Sequence, residues 1–393
     1  VFSALGEMKK SAEKVAHDLS KEVKAYLESE AVADEYLADQ LLLPLALGKG
    51  GEFTTKVISE HTKTQAEMIQ KFIDCDIQFI KIGNNFKPAF EVNNVTIILS
   101  SSDSFSPYLA VCIKSILLNR SLDKNYDIIV FEREICEDNK KKILSLKDGM
   151  NNVSIRFFFV SDAMGSFKFY LNSTRLSQET YYGLLIPYLL PNYHKGIIMD
   201  CDMIVKTDIA RLYYEDLGEN VIGGVNDIVL QGWLNDRENK DTYTYYTEYL
   251  KIKNPYKCFN GGLIILNFDK YKKLITENKI SDYINNYKLR VVDQDIFNIL
   301  LEGKSKLIDF RWNHMIWVKG AISEAIADAP KSVRDSYFKS RKAPYIVHYA
   351  GDVKPWYYPQ VEFADEFWDI ARQTPFYEII LFNMVRNEAV ATV

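Results

Sequence analysis

Apolar residues recur at helical spacing in the first part of the chain. Val15, Leu19, Val23 and Leu27 lie four positions apart with Lys and Glu between them, which predicts an amphipathic helix over residues 8–30. The pattern beyond it predicts a helix over 31–47, a strand over 52–58, a helix over 64–72 and a strand over 77–82. We therefore expect a small α+β fragment here.

The pattern then changes to apolar runs separated by helical stretches. It predicts strands over 95–100, 126–131, 153–159 and 196–199, with helices over 108–119, 139–147 and 178–190 between them. This alternation predicts an α/β domain with a mostly parallel sheet and helices on both faces, which binds ligands at the carboxyl ends of its strands. The chain has no glycine-rich dinucleotide fingerprint after the first strand and no P-loop motif, which argues against both of those sites.

Asparagine usage divides the chain at the same point. Residues 1–83 contain no Asn, whereas residues 84–393 contain 25, and all five Trp also follow residue 83. Uniform usage would place six or seven Asn in the first part, so an empty stretch has odds of roughly one in a thousand. We therefore expect two domains of separate origin, 1–83 and 84–393.

Charge and cysteine content exclude several classes of protein. The chain has 48 basic and 53 acidic residues, so nothing in its overall charge favours nucleic acid, and no nucleic-acid partner is expected. Five widely spaced cysteines without a C-x-x-C pair encode neither a disulfide framework nor a zinc knuckle. The beginning lacks a signal-peptide pattern and no apolar run is long enough to cross a bilayer, so we expect a cytoplasmic location.

Two carboxylates lie close together after the predicted strand 196–199. Asp200 and Asp202 are two positions apart, so in an extended chain they point to the same side. Arginines or a divalent cation must neutralise them, and oxygen ligands suit Mn²⁺ or Mg²⁺. The alternative, which is the commoner origin of an isolated D-x-D, is a solvated strand end with a structural ion pair.

Three other segments offer chemistry, each with an ordinary structural alternative. His348 could complete a metal site, while Gly351 and Lys354 could meet a phosphate, although a single histidine is more often a core or surface residue. Asn260 and Gly261 precede an apolar strand, where a plain turn is equally consistent. The sequence Asp293-Gln294-Asp295 could supply catalytic groups or merely cap a helix.

Taken together, residues 92–393 resemble a family 8 glycosyltransferase, the group that contains lipopolysaccharide glucosyl- and galactosyltransferases and is related to glycogenin. The resemblance rests on motifs in the family's order: Thr180-Tyr-Tyr-Gly, Met199-Asp-Cys-Asp, Phe259-Asn-Gly-Gly, Asp293-Gln-Asp, His348-Tyr-Ala-Gly and Lys354-Pro-Trp. It implies a GT-A fold, which is Rossmann-like, and transfer of a hexose, glucose or galactose, from a UDP-sugar with retention of configuration.

The resemblance also implies a role for each motif residue. Asp200, Asp202 and His348 would hold Mn²⁺ or Mg²⁺. The remaining implied donor contacts are Gly351 and Lys354 at the diphosphate, Ser102 and Asp103 where the family binds uracil and ribose, Asn260 and Gly261 beside the donor, Gln294 facing the anomeric carbon and Asp293 beside the sugar. Gly183 stands where the family usually has an arginine that reaches the donor.

For the acceptor, the resemblance implies a saccharide or a lipid-linked glycan of the lipopolysaccharide type. Residues 308–343, with Trp312, Asn313, Trp317 and a basic segment over 339–342, could receive it, although the tryptophans could equally pack in the core. A lipid-linked acceptor adds peripheral association with the inner face of the membrane as a further expectation. The sequence leaves the oligomeric state open.

Residues 1–82 have a resemblance of their own, to the carboxyl-terminal part of RNA 3′-terminal phosphate cyclases. It rests on Glu35-Tyr-Leu-Ala-Asp-Gln, Gly50-Gly-Glu-Phe and His61-Thr-Lys-Thr. His61 matches the histidine that receives the nucleotidyl group in that family. Because most of a cyclase is absent, we interpret His61 as a relic and the chain as a fusion. The alternative hypothesis is an RNA-processing nucleotidyl-transfer module fused to a degenerate transferase.

Overall fold

The computed structural model describes residues 10–29, 31–48, 50–72, 75–92, 94–160, 181–236, 238 and 240–391. They form two compact units, one within residues 1–94 and 123–125 and the other within 95–122 and 126–393. Within the described ranges, no helix is both long enough and apolar enough to span a bilayer.

The described residues of the first unit form three helices and a three-stranded antiparallel sheet. Its elements are α1 (Ala12–Leu27), α2 (Glu35–Leu47), β1 (Gly51–Glu52), α3 (Glu60–Phe72), β2 (Cys75–Ile82) and β3 (Asn85–Val92), with strand order β1-β3-β2. Asp34 caps the N-terminus of helix α2, because its carboxylate accepts a hydrogen bond from the Leu37 backbone N–H. Its buried Leu42 contributes to a small apolar core with Ile69 of α3.

Several of the predicted elements of this unit need correction. The strand expected over 52–58 is wrong as a continuous strand, because regular pairing with β3 is confined to Gly51–Glu52 and is followed by an isolated bridge between Thr55 and Phe86. Strand β3 was not expected, and it pairs with β2 along its whole length. The resulting hairpin crosses residue 83, so the residues that follow that position belong to this unit as far as Asn94. The ends of the helix expected over 8–30 lie outside the described residues.

The described part of the second unit is built on a seven-stranded sheet. The elements of its first half are β4 (Asn94–Ser100), α4 (Ser106–Asn119), β5 (Asn125–Glu132), α5 (Glu137–Leu144), β6 (Val153–Phe159), α6 (Tyr182–Leu189), β7 (Lys195–Met199), β8 (Met203–Val205), α7 (Ala210–Tyr213), β9 (Ile222–Asn226) and α8 (Ile228–Asn235). The beginning of the helix expected over 178–190, including Thr180, lies outside the described residues.

The second half adds the strands that complete the sheet. Its elements are α9 (Asp241–Thr244), β10 (Phe259–Asn267), α10 (Phe268–Leu274), α11 (Glu277–Asn286), α12 (Val292–Leu300), β11 (Ser305–Ile308), β12 (His314–Met315), α13 (Ala321–Asp328), α14 (Lys331–Arg341), β13 (Ile346–His348), α15 (Ala364–Ala371) and α16 (Tyr377–Ala391). The large sheet has the order β11-β9-β10-β7-β4-β5-β6, and a small sheet has the order β12-β13-β8.

The large sheet is mostly parallel, as the alternation of strands and helices predicts. Strand β10 is the exception, because it runs antiparallel to both β9 and β7. Alternate residues of β4 enter separate cores: Ile97 and Leu99 lie in the core that includes α4, and Ile98 lies in the core that includes α6. This alternation follows from the two-residue period of a strand, so helices cover both faces of the sheet.

Candidate metal and donor site

Two sheets bring three potential metal ligands together. Asp200 follows β7 and Asp202 precedes β8, while β13 ends at His348, whose register partner on β8 is Met203. Oδ2 of Asp200 lies 3.7 Å from Nε2 of His348, and Oδ1 of Asp202 lies 3.3 Å from the same nitrogen. One ligand atom from each of the three residues lies within 4.8 Å of the other two. Strand register therefore brings together residues that are almost 150 positions apart.

The donor set of this cluster fits a divalent cation. Oδ1 of Asp202 is buried and makes no hydrogen bond among the described residues. Nδ1 of His348 lies 2.8 Å from Oδ1 of Asn313, and a proton on Nδ1 leaves Nε2 with a lone pair. Two lone pairs then face each other 3.3 Å apart. A cation would relieve their repulsion, and two carboxylates with one imidazole suit Mn²⁺ or Mg²⁺.

Lys354 supplies the positive charge next to this cluster. Its Nζ pairs with Oδ2 of Asp202 and donates to the carbonyl oxygen of Tyr349 at 2.6 Å. Burial alone would raise the pKa of Asp202, but the Lys354 ammonium overcomes that effect and holds it well below its usual range. Reduced hydration and the charge of Asp202 raise the pKa of Asp200, although its side chain is still 59% exposed.

Gly262 lies directly against Asp200 and His348, and its lack of a side chain is essential there. A Cβ atom on Gly262 would lie 2.6 Å from Cε1 of His348 and 2.7 Å from Oδ2 of Asp200. The Gly262 carbonyl oxygen accepts a hydrogen bond from the Asp200 backbone N–H at 2.8 Å, so the strand cannot simply move away. A glycine at this position is therefore a condition for the close approach of the ligands.

The segment around Gly262 lies within strand β10, not before it as the sequence predicted. Between Phe259 and Ile264, β10 uses five positions where β9 uses two, so the strand bulges. The side-chain amide of Asn298 bonds both the N–H and the C=O of Phe259 and holds the beginning of this bulge. The bulge directs the Asn260 side chain toward Gln294.

Gln294 is buried at the first turn of α12, and both ends of its carboxamide are engaged. Its Oε1 accepts from the Gly261 backbone N–H at 2.8 Å, and its Nε2 donates to Oδ2 of Asp227 at 3.0 Å. Asn260 donates through Nδ2 toward Oε1 of Gln294 at 3.3 Å and accepts from the Gly262 backbone N–H at 3.0 Å. The two motifs that the sequence singled out therefore form one network.

Asn313 extends this network to the metal ligands. It donates through Nδ2 to Oδ1 of Asn260 at 2.9 Å, which leaves its own Oδ1 to accept from Nδ1 of His348. A continuous chain of side-chain amides consequently runs from Gln294 to His348. Asn313 is 2% exposed, so its amide is committed to this chain, although the sequence placed it among acceptor contacts.

The two aspartates that flank Gln294 differ in their surroundings. Asp295 is fully buried and accepts hydrogen bonds from the hydroxyls of Tyr245 and Tyr246 and from two backbone N–H groups, which makes it a structural residue. Asp293 is half-buried, and burial together with the charge of Asp200 raises its pKa well above the usual range. A Cβ atom on Gly183 would lie 3.9 Å from Oδ2 of Asp293.

The remaining residues predicted to contact the donor are Asp103, Ser102 and Gly351, and each has surroundings of its own. Oδ1 of Asp103 accepts from the Cys136 backbone N–H at 2.8 Å and from Nδ2 of Asn139 at 2.9 Å, so it anchors the start of α5. The Ser102 hydroxyl lies 3.1 Å from that of Ser104. Gly351 follows β13 with φ +80°, a conformation that favours glycine.

The aromatic side chains expected to contact an acceptor divide between core and surface. Trp312 is 5% exposed and packs against Tyr345, so it belongs to the core. Trp317 is half-buried, and the Arg341 guanidinium lies 5.7 Å from the centre of its ring. Of the two tryptophans, Trp317 is therefore the one with surface to offer a ligand.

His61 lies in the first unit, at the beginning of α3. Its ring is 76% exposed, and its Nδ1 lies 2.8 Å from Oδ2 of Asp39. Thr62 also donates to the Asp39 carboxylate. The carboxylate can orient the imidazole and leave Nε2 toward solvent.

Sequence reasoning missed two positioning roles in the second unit. Asp227 contacts Gln294, and Asn313 contacts His348. Asp227 lies one position after β9, in an apolar stretch without a recognisable motif, and the sequence offered no signal for it. Asn313 carried a weak signal, because an Asn flanked by Trp312 and His314 in a short segment suggests a specific polar contact. Both become visible only once strand register is known.

Comparisons with known proteins agree with this architecture. The sequence profile of the family Glycosyl transferase family 8 matches residues 96–359, and that of RNA 3′-terminal phosphate cyclase matches residues 3–79. General stress protein A of Bacillus subtilis (strain 168) is 26% identical over 270 residues, which cover 66% of this chain and 86% of that protein. The RNA 3′-terminal phosphate cyclase of Ectopseudomonas mendocina (strain ymp) is 42% identical over 77 residues, but these cover only 20% of this chain and 23% of the cyclase.

Solved structures show the same fold. The apo structure of the bifunctional glycosyltransferase WbbM has a TM-score of 0.65 and 24% identity, covering 82% of this chain and 59% of WbbM. The galactosyltransferase LgtC, in complex with donor and acceptor sugar analogues, has a TM-score of 0.56 and 21% identity, covering 72% of this chain and 96% of LgtC. These similarities confirm the GT-A fold, and the profile match spans well over half of the residues: the chain belongs to glycosyltransferase family 8.

Proposed function

We propose that this protein is a metal-dependent retaining glycosyltransferase that moves a hexose, glucose or galactose, from a UDP-sugar to a saccharide or lipopolysaccharide-type acceptor. The observation that carries the proposal is the cluster of Asp200, Asp202 and His348, in which Nε2 of His348 lies 3.3 Å from Oδ1 of Asp202, a buried oxygen that makes no hydrogen bond among the described residues. Mn²⁺ or Mg²⁺ bound by these residues would stabilise negative charge on the departing diphosphate.

In this proposal the protein's own groups prepare the donor. Lys354 lies beside Asp202 and adds a second positive charge where the diphosphate would carry negative charge. The network around Gln294 holds its carboxamide in one orientation, which suits a group that faces the anomeric carbon. Gly351 lets the backbone approach the phosphates, and Ser102 and Asp103 are proposed to meet the nucleoside.

The carboxylates near Gln294 favour departure and attack on the same face of the sugar over a double displacement. Asp295 already accepts four hydrogen bonds, so its oxygens are not free to attack. Burial and the charge of Asp200 raise the pKa of Asp293, which disfavours its charged, nucleophilic form. A front-face reaction needs no enzyme nucleophile and still retains configuration.

Turnover of UDP-glucose and UDP-galactose, with saccharide acceptors, tests the proposal. We expect activity to disappear with a chelator and to return with Mn²⁺, and we expect the product to have the anomeric configuration of the donor. Asp202→Asn should abolish activity without unfolding the chain, while Asp138→Asn, the same change in an exposed helical ion pair, should have no effect. Full turnover in the presence of chelator would refute the metal assignment.

For the first unit we propose a cyclase-like fragment that glycosyl transfer does not need, with the join between two sequences of separate origin near residue 83. Because the β2–β3 hairpin crosses that position, the informative truncation keeps residues 94–393. We expect this truncation to stay folded and to bind UDP-sugar with unchanged affinity. An insoluble product, or one that no longer binds donor, would show that the segment is required.

The His61–Asp39 contact is the observation that favours the alternative, a nucleotidyl-transfer module. Incubation of the full chain with labelled ATP separates the two proposals. We expect no phosphoramidate at His61, because the fragment corresponds to only 23% of the cyclase that it matches. Label that is lost in His61→Ala would instead support the cyclase-like function.

A further inference from the structure

Asp227 occupies a special position between β9 and α8. Its side chain is 7% exposed, and each of its two carboxylate oxygens accepts two hydrogen bonds. Oδ1 accepts from the backbone N–H groups of Val229 and Leu230, at 3.1 and 3.0 Å, and so caps α8. Oδ2 accepts from Nδ2 of Asn260 at 3.2 Å and from Nε2 of Gln294 at 3.0 Å.

Backbone donors fix the direction of these side-chain hydrogen bonds. A backbone N–H can only donate, so the Gly261 N–H requires the oxygen of the Gln294 amide on its side and turns the NH₂ group toward Asp227. In the same way, the Gly262 N–H requires the oxygen of Asn260 and turns its NH₂ group toward Asp227 and Gln294. Neither amide can rotate by 180° without setting two donors against each other.

Only a carboxylate can satisfy the four donors around Asp227. Its helix-facing oxygen must accept from backbone N–H groups, and its other oxygen must accept from two NH₂ groups. An asparagine at this position would keep its oxygen toward the helix and point its NH₂ group at those of Asn260 and Gln294. The requirement for an acid therefore comes from geometry, not from charge exposed to a ligand.

We propose that Asp227 is a positioning residue, which acts through Oδ2 to hold the carboxamide of Gln294 in the orientation used during glycosyl transfer. This role rests on the proposed function, because it presumes that Gln294 faces the donor sugar. All four hydrogen bonds are within the protein, so the carboxylate has no oxygen left for attack on the sugar or for direct contact with it. Its effect should consequently appear in the rate of transfer and not in donor affinity.

The first test measures the contact without substrate or metal, by thermal unfolding of a double-mutant cycle. Asp227→Asn opposes two NH₂ groups, and Gln294→Glu opposes two carboxylates, so each substitution alone should lower Tm by about 4 to 8 °C. Together they exchange donor and acceptor, and the double variant should recover more than half of the summed loss. Simply additive losses would overturn the proposed contact.

The second test compares kinetics and binding. With UDP-sugar and acceptor, Asp227→Asn should lower kcat by about 100-fold, the effect of a misplaced catalytic group. The dissociation constants for Mn²⁺ and UDP, measured by calorimetry, should stay within about twofold of wild type, since their sites are unaltered. Asp34→Asn, the same chemical change at the N-cap of α2, is the matched control and should leave both unchanged.

The outcomes separate the positioning role from the proposed function. An unchanged kcat, or a raised KM with unchanged kcat, would overturn the positioning role, the latter by indicating direct contact between Asp227 and a substrate. If the wild-type protein transfers no sugar from any UDP-hexose, the proposed function fails, and with it the catalytic part of the inference. The unfolding cycle still decides in that case whether Asp227 orients Gln294.

Discussion

Substitution of Gly262 by alanine should damage the metal site by addition of a single carbon atom. The new Cβ would lie 2.6 Å from Cε1 of His348 and 2.7 Å from Oδ2 of Asp200. Non-bonded carbon contacts normally begin near 3.5 Å, so one or both ligands would have to retreat by about 0.8 Å. Metal sites tolerate displacements of only about 0.2 Å in ligand distance.

We expect this displacement to weaken Mn²⁺ binding by about 10- to 100-fold, or about 1.4 to 2.8 kcal/mol, as for loss of a residue that orients a ligand. Titration calorimetry with Mn²⁺, in the presence and absence of UDP, measures the change directly. Thermal unfolding of the metal-free protein must accompany it, because a general loss of structure would also abolish binding. A variant with wild-type Tm and weakened Mn²⁺ binding is the expected result.

Gly183→Ala is the matched control for the same added methyl group. Its Cβ would meet only side-chain atoms at 3.6 to 3.9 Å, which are ordinary contacts, and the position lies within α6. The substitution should leave Mn²⁺ affinity unchanged and should stabilise the protein by about 0.5 to 1 kcal/mol through helix propensity. Equal Mn²⁺ affinities of wild type and of Gly262→Ala would refute the idea that Asp200 and His348 bind one ion.

Three further predictions concern other parts of the site and the core. Gly183→Arg should bring a guanidinium to Asp293, tighten UDP-sugar binding by about tenfold, or ~1.4 kcal/mol, and raise Tm slightly. Unchanged or weaker binding of the UDP-sugar in calorimetry would contradict this prediction. Asn313→Asp keeps an acceptor for His348 but loses the donor to Asn260, so Mn²⁺ affinity should be maintained or increased while kcat falls at least tenfold. Equal losses of Mn²⁺ affinity and of kcat would argue for a purely structural role of Asn313. Burial lowers the pKa of His314 to about 4, so as the pH falls below about 6.5 the unfolded state takes up a proton before the folded state does, and about 3 kcal/mol of folding stability should be lost by pH 4. His314→Phe should therefore show a smaller loss of Tm between pH 7 and 4.5 than the wild type. Parallel profiles of Tm against pH for the two proteins would disprove this prediction.

The fold could be predicted largely because its strands are buried on both faces. Runs such as 95–100 and 126–131 are predominantly apolar, and helical stretches separate the predicted strands. The failures lie where the local signal is weak. Strand β3 contains Lys87 and Pro88 and lies between β2 and the short β1. The strand predicted over 52–58 pairs with β3 at Glu52 and, after an interruption, through an isolated bridge at Thr55. In both cases tertiary pairing decides what propensity cannot.

The candidate metal ligands could be predicted from the sequence because they lie in short motifs whose side chains are typical metal ligands. Asp200 and Asp202 are close in sequence, and His348 lies in a segment that also contains a glycine and a lysine. Asp227 has no such context, since its role depends on a bulge in β10 and on the first turn of α12, both of which are distant in sequence. The spacing of residues along the chain contains no information about this meeting of three elements.

Two backbone N–H groups set the donor-to-acceptor direction of the hydrogen bonds throughout the site. Gly261 and Gly262 donate to amide oxygens, and each following hydrogen bond then has one permitted direction, as far as the proton on Nδ1 of His348. The glycines are required by the lack of space for a Cβ, and the same lack of space brings their N–H groups within reach of the side chains. A substitution that changes only hydrogen-bond polarity, such as Asp227→Asn or Asn313→Asp, therefore perturbs the site without creating a cavity. Such variants distinguish orientation from packing, which large-to-small substitutions cannot do.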